Sequence, residues 1–417
     1  MKAHWGKLMV IGAGLLLSGV AQAQYWAQTS APSQHWNSMA SSADGSKLIA
    51  TTTSSDYYTS TNSGFTWTSN REPQSGLLMG AWYAIASSAD GNKLAAITGQ
   101  TVFTSTNAGI SWASNSIPGT NLISIASSAD GSKLVVAVGK TPSFSVAGGG
   151  SGYIYLSTNS GATWAQSGAP KKYWSSVASS ADGTKLAATA MDEPNLGWIY
   201  TSTNSGASWT QTSAPTNSYW VAVASSADGS KLAAVNYPAY IFADGNLVFT
   251  ALGLVYTSAN SGATWVSNNV PNTTWQAVAS AADGTKLVAI SQYGGIYTST
   301  NSGASWTTNN VAGSPYWAVA SSADGNKQWM VVGQLFSADN IYTSQTTPSP
   351  QLNLTRSPTN FTLGWTVPST NFVLQQSTDL TSWGNVTNLP VLNCTNLQNQ
   401  VTLPPNGDCG FYRLNTP

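Results

Sequence analysis

Residues 275–308 read WQAVASAADGTKLVAISQYGGIYTSTNSGASWTT, and this stretch predicts the fold of the chain. Trp275–Ser280 alternates between apolar and polar residues, and Asp283-Gly284 after it is a pair typical of a tight hairpin turn. A return strand, a third strand and, after a second turn, a fourth strand follow at residues 286–290, 295–299 and 305–308. The stretch therefore predicts one antiparallel unit of four strands, which we label A, B, C and D.

The first half of this unit occurs seven times along the chain. Each copy ends in the phrase Ser/Ala-Ala-Asp-Gly-x-Lys, and successive copies are 40 to 55 residues apart. An interval of this size with four short strands is typical of one blade of a β-propeller. The turn aspartates are Asp44, Asp90, Asp130, Asp182, Asp228, Asp283 and Asp324.

A second phrase, Ser-x-Asn-x-Gly-x-Ser/Thr-Trp, follows each of the first six copies and leads into strand D. The seventh unit lacks this phrase. Its missing strand is present at the other end of the chain, where residues 25–32 (YWAQTSAP) repeat the strand D text of residues 208–215 (SWTQTSAP). We therefore predict an all-β protein in which residues 24–345 form a seven-bladed β-propeller. The N-terminal strand would close the ring, which leaves no open sheet edge.

The second phrase resembles the Asp box, or BNR repeat, of sialidase-superfamily propellers, which also occurs in photosystem II assembly-factor-like and sortilin-like propellers. The resemblance covers about residues 25–345. It implies a structural hairpin that is remote from the active site. Asn stands where the family usually has Asp, and Asn can still cap such a turn. The asparagines are Asn62, Asn107, Asn159, Asn204, Asn260 and Asn301.

Sialidase activity is not expected. A sialidase of this superfamily would need three arginines around the carboxylate of its substrate. The chain offers only Arg71, Arg356 and Arg413, and the last two lie outside the propeller. Lysine does not replace the bidentate contact of arginine with a carboxylate.

Residues 1–23 are predicted to be a cleaved signal peptide. Lys2 and Lys7 give a basic start, residues 8–20 form an apolar run, and Ala-Gln-Ala at residues 21–23 is a typical cleavage site. The apolar run is shorter than the roughly 20 residues that span a bilayer. We expect a secreted, periplasmic or cell-surface protein whose mature chain has no transmembrane segment.

The repeat ends before a predicted linker at residues 346–350, and residues 351–417 are predicted to form a small immunoglobulin- or fibronectin-like β-sandwich. This region is similar to C-terminal domains of exported bacterial proteins. Cys394 and Cys409 are the only cysteines, and in an exported protein they are expected to form a disulfide. The domain could serve as a spacer, as an export or attachment signal, or as a stabilising element.

Composition excludes several classes of function. Only 7% of the residues are charged and the net charge is zero, which argues against nucleic-acid binding and against a polybasic membrane patch. His35 is the only histidine of the mature chain, so a histidine-rich metal site is not expected. No nucleotide-binding motif is present, and we expect a monomer without a metal or cofactor.

The strand order predicts two different faces. The A–B and C–D turns lie on one, which we call the turn face, and the B–C loops and D–A connections lie on the other, which we call the variable face. Insertions and the charges outside the repeat fall on the variable face, where function often resides. Solvated loops collect charge in any protein, which is the simpler explanation. If the protein is a glycoside hydrolase or lyase, its paired carboxylates would come from Glu72, Asp192, Glu193 and Asp244.

Aromatic residues give a second hypothesis. Tryptophan opens strand A in six blades, and Leu122 takes its place in the third. Near the channel mouth these indoles would suit stacking on a sugar or peptide. The alternative is that they pack between the blades. They are Trp36, Trp82, Trp174, Trp220, Trp275 and Trp317.

Three functions remain open from the sequence. The first is an exported, non-catalytic propeller that binds carbohydrate or protein through its variable face. The second is a secreted glycoside hydrolase or lyase that is not a sialidase. The third is a purely structural protein of the cell envelope.

Overall fold

The computed structural model describes residues 9–10, 26–71, 82–119, 121–139, 150–192, 196–216, 218–243, 246–251, 253–309, 311, 315–334, 337–345, 352–357, 360–366, 373–388, 390–393, 398–403 and 411–415. In these residues the chain forms strands and turns, without a helix. Seven sheets have four antiparallel strands each in the order A, B, C, D. The protein is an all-β propeller.

The first four blades follow one another along the chain. Their strands A to D are Trp36–Ser41, Leu48–Thr52, Asp56–Ser60 and Thr68–Arg71; Ala84–Ser87, Leu94–Ile97, Thr101–Ser105 and Ala113–Ser116; Leu122–Ser127, Leu134–Val138, Ile154–Ser157 and Ala165–Gln166; and Trp174–Ser179, Leu186–Asp192, Leu196–Ser202 and Thr210–Gln211.

The remaining three blades contain an added hairpin and the closing strand. Their strands A to D are Tyr219–Ser225, Leu232–Tyr237, Val255–Ser258 and Val266–Ser267; Trp275–Ser280, Leu287–Ser291, Gly295–Ser299 and Thr307–Asn309; and Tyr316–Ser321, Lys327–Gln334, Ser337–Gln345 and, from the start of the chain, Trp26–Gln28. Between strands B and C of blade 5, Ala239–Ala243 pairs with Asn246–Ala251 as a separate two-stranded sheet.

The N-terminal strand closes the ring, as the repeated text predicts. Trp26 lies opposite Ser344, and Gln28 lies opposite Tyr342, in an antiparallel pair. Blade 7 thus combines one strand from the start of the repeat region with three from its end. Closure by pairing removes the edge that strand C of blade 7 would otherwise expose.

A ring of backbone hydrogen bonds joins the blades at the turn face. In each Ser/Ala-Ala-Asp-Gly-x-Lys phrase the alanine directly before the aspartate donates its N–H to the carbonyl of the matching alanine in the next blade, at 2.6 to 2.8 Å. The ring runs in one direction and closes on itself from blade 7 to blade 1. Its members are Ala43, Ala89, Ala129, Ala181, Ala227, Ala282 and Ala323.

The glycine and lysine of the phrase form a latch between neighbouring blades. Lys133 of blade 3 donates from Nζ to the carbonyl of Asp182 in blade 4 at 2.8 Å, and its side chain covers Gly183. Gly183 has a φ of +66°, a conformation that side chains disfavour. The aliphatic part of the lysine side chain in one blade therefore requires a glycine at the A–B turn of the next blade.

Replacing Gly183 with alanine is expected to lower the free energy of unfolding by about 1–3 kcal/mol. The new Cβ would lie 2.7 Å from Cδ of Lys133 and would sit on a left-handed backbone. Chemical denaturation measures the loss. Gly150→Ala is the control, because nothing lies within 4 Å of its Cβ position. Equal stability of the two variants would contradict the latch.

In five of the seven blades the same phrase lowers the pKa of the turn aspartate. Burial raises the pKa of Asp130, but hydrogen bonds from Ser128 and Ser132 and the charge of Lys93 outweigh it and lower the pKa to about 2. In blade 7 the balance is reversed, since burial outweighs the hydrogen bonds of Asp324 and raises its pKa. Asp324 and Asp44 of the neighbouring blade 1 are half-buried, whereas the turn aspartates of the other five blades are exposed.

The C-terminal region forms two further four-stranded sheets. One contains Asn353–Arg356, Phe361–Thr366, Gln398–Leu403 and Val391–Asn393. The other contains Val373–Ser377, Gly384–Asn385 and Phe411–Asn415, and its fourth strand, Met9–Val10, comes from the predicted signal peptide and pairs in parallel with Phe411–Asn415. A shared cluster of buried side chains from both sheets includes Trp365, Leu374 and Tyr412. Cys394 and Cys409, the predicted disulfide, lie outside the described residues.

Candidate functional site

Five of the six tryptophans predicted to bind ligand are buried between the blades. Each is 2% exposed or less and packs edge to face on an aromatic ring of strand C, with ring centroids 5.0 to 5.5 Å apart. An indole this deeply buried has no ring face available to a ligand. These residues therefore have the alternative role given above, which is packing between the blades. They are Trp36, Trp82, Trp174, Trp220 and Trp275.

Blade 7 differs from this pattern by one residue. Tyr316 lies opposite Val332 and precedes the strand irregularity, as Trp275 does opposite Ser291 in blade 6. Tyr316 is buried, and its hydroxyl donates to the carbonyl of Val311 at 2.8 Å. In blade 7 the residue equivalent to the buried tryptophans is therefore Tyr316. Trp317, which the sequence analysis grouped with those tryptophans, occupies the next position.

The position after the packing residue forms what we call the mouth ring. It lies at the start of the innermost strand, where the channel opens on the variable face. Ser175 Oγ, for example, donates to the carbonyl of Trp220 in the next blade at 2.7 Å. The seven blades carry seven different side chains here, none of them charged. The ring consists of Asn37, Tyr83, Ile123, Ser175, Val221, Gln276 and Trp317.

Two aromatic members of the mouth ring are accessible. Tyr83 is 43% exposed. Trp317 is half-buried and packs with part of its surface against the core cluster between blades 7 and 1, whereas the packing residues beside them are buried. Nε1 of Trp317 and Oδ1 of Asp339 both lie less than 3.0 Å from the point that a Cβ of Gly333 would occupy. A side chain at position 333 would therefore displace the indole.

Gly333 is a site residue that the sequence did not single out, and Asp339 was placed by the sequence only among the acids outside the repeat on the variable face. Asp339 is a buried carboxylate of blade 7, and its backbone exchanges hydrogen bonds of 2.7 and 3.2 Å with Gln34 at the entry to blade 1. The available signal was a glycine directly after the apolar run of strand B. The place of Gly333 in the sequence does not show that the Trp317 indole fills the space a side chain at position 333 would need.

Polar and aromatic groups continue around the mouth over blades 5 and 6. The hydroxyl of Tyr237 donates to Oε1 of Gln276 at 2.5 Å. Burial and the neighbouring Tyr293 raise the pKa of Tyr237, so it remains a neutral donor. Tyr293 itself is 58% exposed. In blade 4, Nζ of Lys172 lies 3.9 Å from the ring centroid of Trp198, a cation–π contact.

The opposite end of the channel has a different character. A cavity of about 190 Å³ at the turn face is lined by serines and alanines that every blade repeats. Its serine hydroxyls already have acceptors: Ser41 donates to the carbonyl of Ser42 at 2.7 Å, and Ser42 donates to Oδ1 of Asp44 at 2.5 Å. This end has the same groups seven times, whereas the mouth ring has a different side chain in each blade, of which Ser175 and Val221 are buried. We therefore place the candidate site at the mouth ring.

The carboxylates predicted for a hydrolase are not placed by the structure. Glu72, Glu193 and Asp244 lie outside the described residues, and for Asp192 only the backbone, opposite Leu196, is described. Among the described residues no group of three or more His, Cys, Asp or Glu side chains is arranged to hold a metal ion. The described part of the chain also contains no helix long and apolar enough to cross a membrane.

Comparison with known proteins supports the fold. No protein-family model and no curated protein matches the chain. Among solved structures, YCF48 from Cyanidioschyzon merolae is similar with a TM-score of 0.53 and 14% identity, over 77% of this chain and 98% of that one. YCF48 bound to D1 peptide gives a TM-score of 0.55 and 12% identity, over 78% and 97%.

A glycoside hydrolase is also similar. The GH74 xyloglucanase from Xanthomonas campestris has a TM-score of 0.54 and 15% identity, over 82% of this chain and 59% of that one, so the chain spans less than two thirds of that enzyme. Likeness at such identity shows the fold alone. At the level of the fold, the likeness to YCF48, a photosystem II assembly factor, confirms the predicted resemblance to propellers of that kind.

Proposed function

We propose that this protein is a binding propeller that holds an extended segment of a protein partner at the mouth ring. The observation that carries the proposal is the displacement of Trp317 from the packing position to the channel mouth. Aromatic faces beside amide and hydroxyl groups suit stacking together with hydrogen bonding. One of the similar propellers is a structure with a bound peptide, which supports a protein ligand.

The mouth ring carries no charged side chain, and the acidic residue beside Trp317, Asp339, is buried, so recognition is expected to rest on apolar contact and neutral hydrogen bonds. Affinity should then change little with salt, because screening acts on interactions between charges. Lys172, which lies over Trp198 in blade 4, adds a charged contact only at the edge of the site. The preferred segment is therefore uncharged and contains residues that stack on Trp317 and Tyr83.

The test is a screen of the mature protein against an array of extended peptides, with a glycan array in parallel. Trp317→Ala is expected to weaken the peptides that bind by about 10- to 100-fold, the loss typical of a central aromatic anchor. Trp383→Ala is the control, since Trp383 is a half-buried indole of the C-terminal sheets. Peptide binding that survives Trp317→Ala unchanged would refute the proposal, and binding only on the glycan array would replace the protein ligand with a carbohydrate.

A second candidate is a glycoside hydrolase, favoured by the likeness to the GH74 fold. It would use a pair among Glu72, Asp192, Glu193 and Asp244. A polysaccharide hydrolysis screen with Asp192→Asn, Glu193→Gln, Asp244→Asn and Glu72→Gln separates the two functions. Hydrolysis that one or two of these substitutions abolish would favour the enzyme over the binding protein.

A further inference from the structure

The residue after the glycine of the C–D turn is exposed in all six blades that have the turn. The turns share one geometry: in blade 1 the Asn62 side chain accepts from the N–H of Thr66 at 2.9 Å, and the equivalent bond recurs in the other five. Four blades carry alanine at the exposed position. Blades 1 and 2 instead carry Phe65 and Ile110, which are 70% and 85% exposed. The turn itself therefore does not require a large side chain there.

Phe65 lies beside the place where the chain leaves the propeller. Strand C of blade 7 ends at Gln345, opposite Lys327, on the turn face. The C–D turn of blade 1 packs against this blade: Nζ of Lys327 donates to Oγ of Ser63 at 3.0 Å, and Nε1 of Trp329 donates to the Ser63 carbonyl at 3.3 Å. The end of strand C in blade 7 and the turn that carries Phe65 thus both lie at the contact between blades 7 and 1.

Only a short segment separates this exit from the C-terminal sheets. Residues 346–352 lie between Gln345 and Asn353, the first strand residue of the C-terminal sheets, and eight residue steps span at most about 29 Å when fully extended. The C-terminal sheets must therefore start within about 29 Å of the end of blade 7. Their described surface includes large exposed apolar residues of its own, Val391 at 70% and Leu380 at 42%.

We propose that Phe65 and Ile110 form a docking surface for the C-terminal sheets of the same chain. The tether makes docking intramolecular, with an effective concentration in the millimolar range, so that a small apolar contact is enough. In the structure both residues are uncovered, which makes this an open arrangement. Docking buries the two side chains and places the C-terminal sheets on the turn face, away from the mouth ring.

The test compares the full mature chain with its Phe65→Ala/Ile110→Ala variant by small-angle X-ray scattering and amide hydrogen exchange. The variant is expected to have a larger radius of gyration and at least 5-fold faster exchange at residues 380–393. The control, Val266→Ala, removes an exposed valine of blade 5 and is expected to change neither quantity. The melting temperature of both variants should equal that of the wild type. For Phe65→Ala/Ile110→Ala the reason is that alanine already occupies the equivalent position in four blades.

Two outcomes would overturn the proposal. The first is an unchanged radius of gyration and unchanged exchange in the double variant. The second is a wild-type mass that rises with concentration and that Phe65→Ala/Ile110→Ala restores to a monomer, since the surface would then bind a second copy of the chain.

Discussion

Replacing Trp174 with alanine is expected to lower the free energy of unfolding by about 3–5 kcal/mol, the cost of removing a fully buried indole. Trp174 packs edge to face on Tyr200 at 5.5 Å and contacts Trp209 at 6.4 Å, so its loss leaves a cavity between blades 3 and 4. Urea denaturation followed by circular dichroism measures the change.

The chain itself supplies a control for this experiment. Blade 3 has Leu122 in the equivalent position, and that leucine is fully buried. Trp174→Leu should therefore cost clearly less than Trp174→Ala. If Trp174→Ala were as stable as the wild type, the buried packing of the strand A tryptophans would be wrong and their role as ligand-binding residues would be open again.

Replacing Trp26 with alanine is expected to open the ring. Trp26 is buried in the cluster between blades 6 and 7, and it anchors a closing strand of only three residues. Its loss should lower the free energy of unfolding by about 3–5 kcal/mol. It should also release strand C of blade 7, whose free edge can then pair with another copy of the chain.

Light scattering during denaturation tests both effects together. The Trp26→Ala variant should form concentration-dependent oligomers at denaturant concentrations where the wild type remains a monomer. Gln28→Ala changes an exposed residue of the same strand and should leave both stability and mass unchanged. A monomeric Trp26→Ala variant of wild-type stability would contradict closure by the N-terminal strand.

Much of the fold was predictable because each blade repeats the same local signals. The Asp-Gly pair marks the A–B turn, and the Asn-x-Gly phrase marks the C–D turn, so the strands between them follow. The copy of strand D text at residues 25–32 predicted the closing strand, and Trp26 pairs with Ser344 as expected. The latch of lysine on glycine was not predicted, since it joins residues about a blade apart in sequence.

The candidate site was predicted less well, and Trp317 shows why. Tyr316 and Trp317 are adjacent and both aromatic, so the sequence alone does not decide which of them packs between the blades. In the structure the strand register decides it, because Tyr316 is the residue opposite Val332. The other five indoles are buried because the same space between neighbouring blades recurs around the ring. A large side chain that fills this space therefore recurs in the sequence. The residues that vary between blades were the better guide to a site.

The neighbours Tyr316 and Trp317 also provide the most direct test of this division between packing and recognition. The measurement is the free energy of unfolding of Tyr316→Ala and of Trp317→Ala, from chemical denaturation of the mature protein. We predict a loss of about 3 kcal/mol for Tyr316→Ala and less than half of that loss for Trp317→Ala. A larger loss for Trp317→Ala than for Tyr316→Ala would return the indole to the packing position and contradict the assignment of the mouth ring.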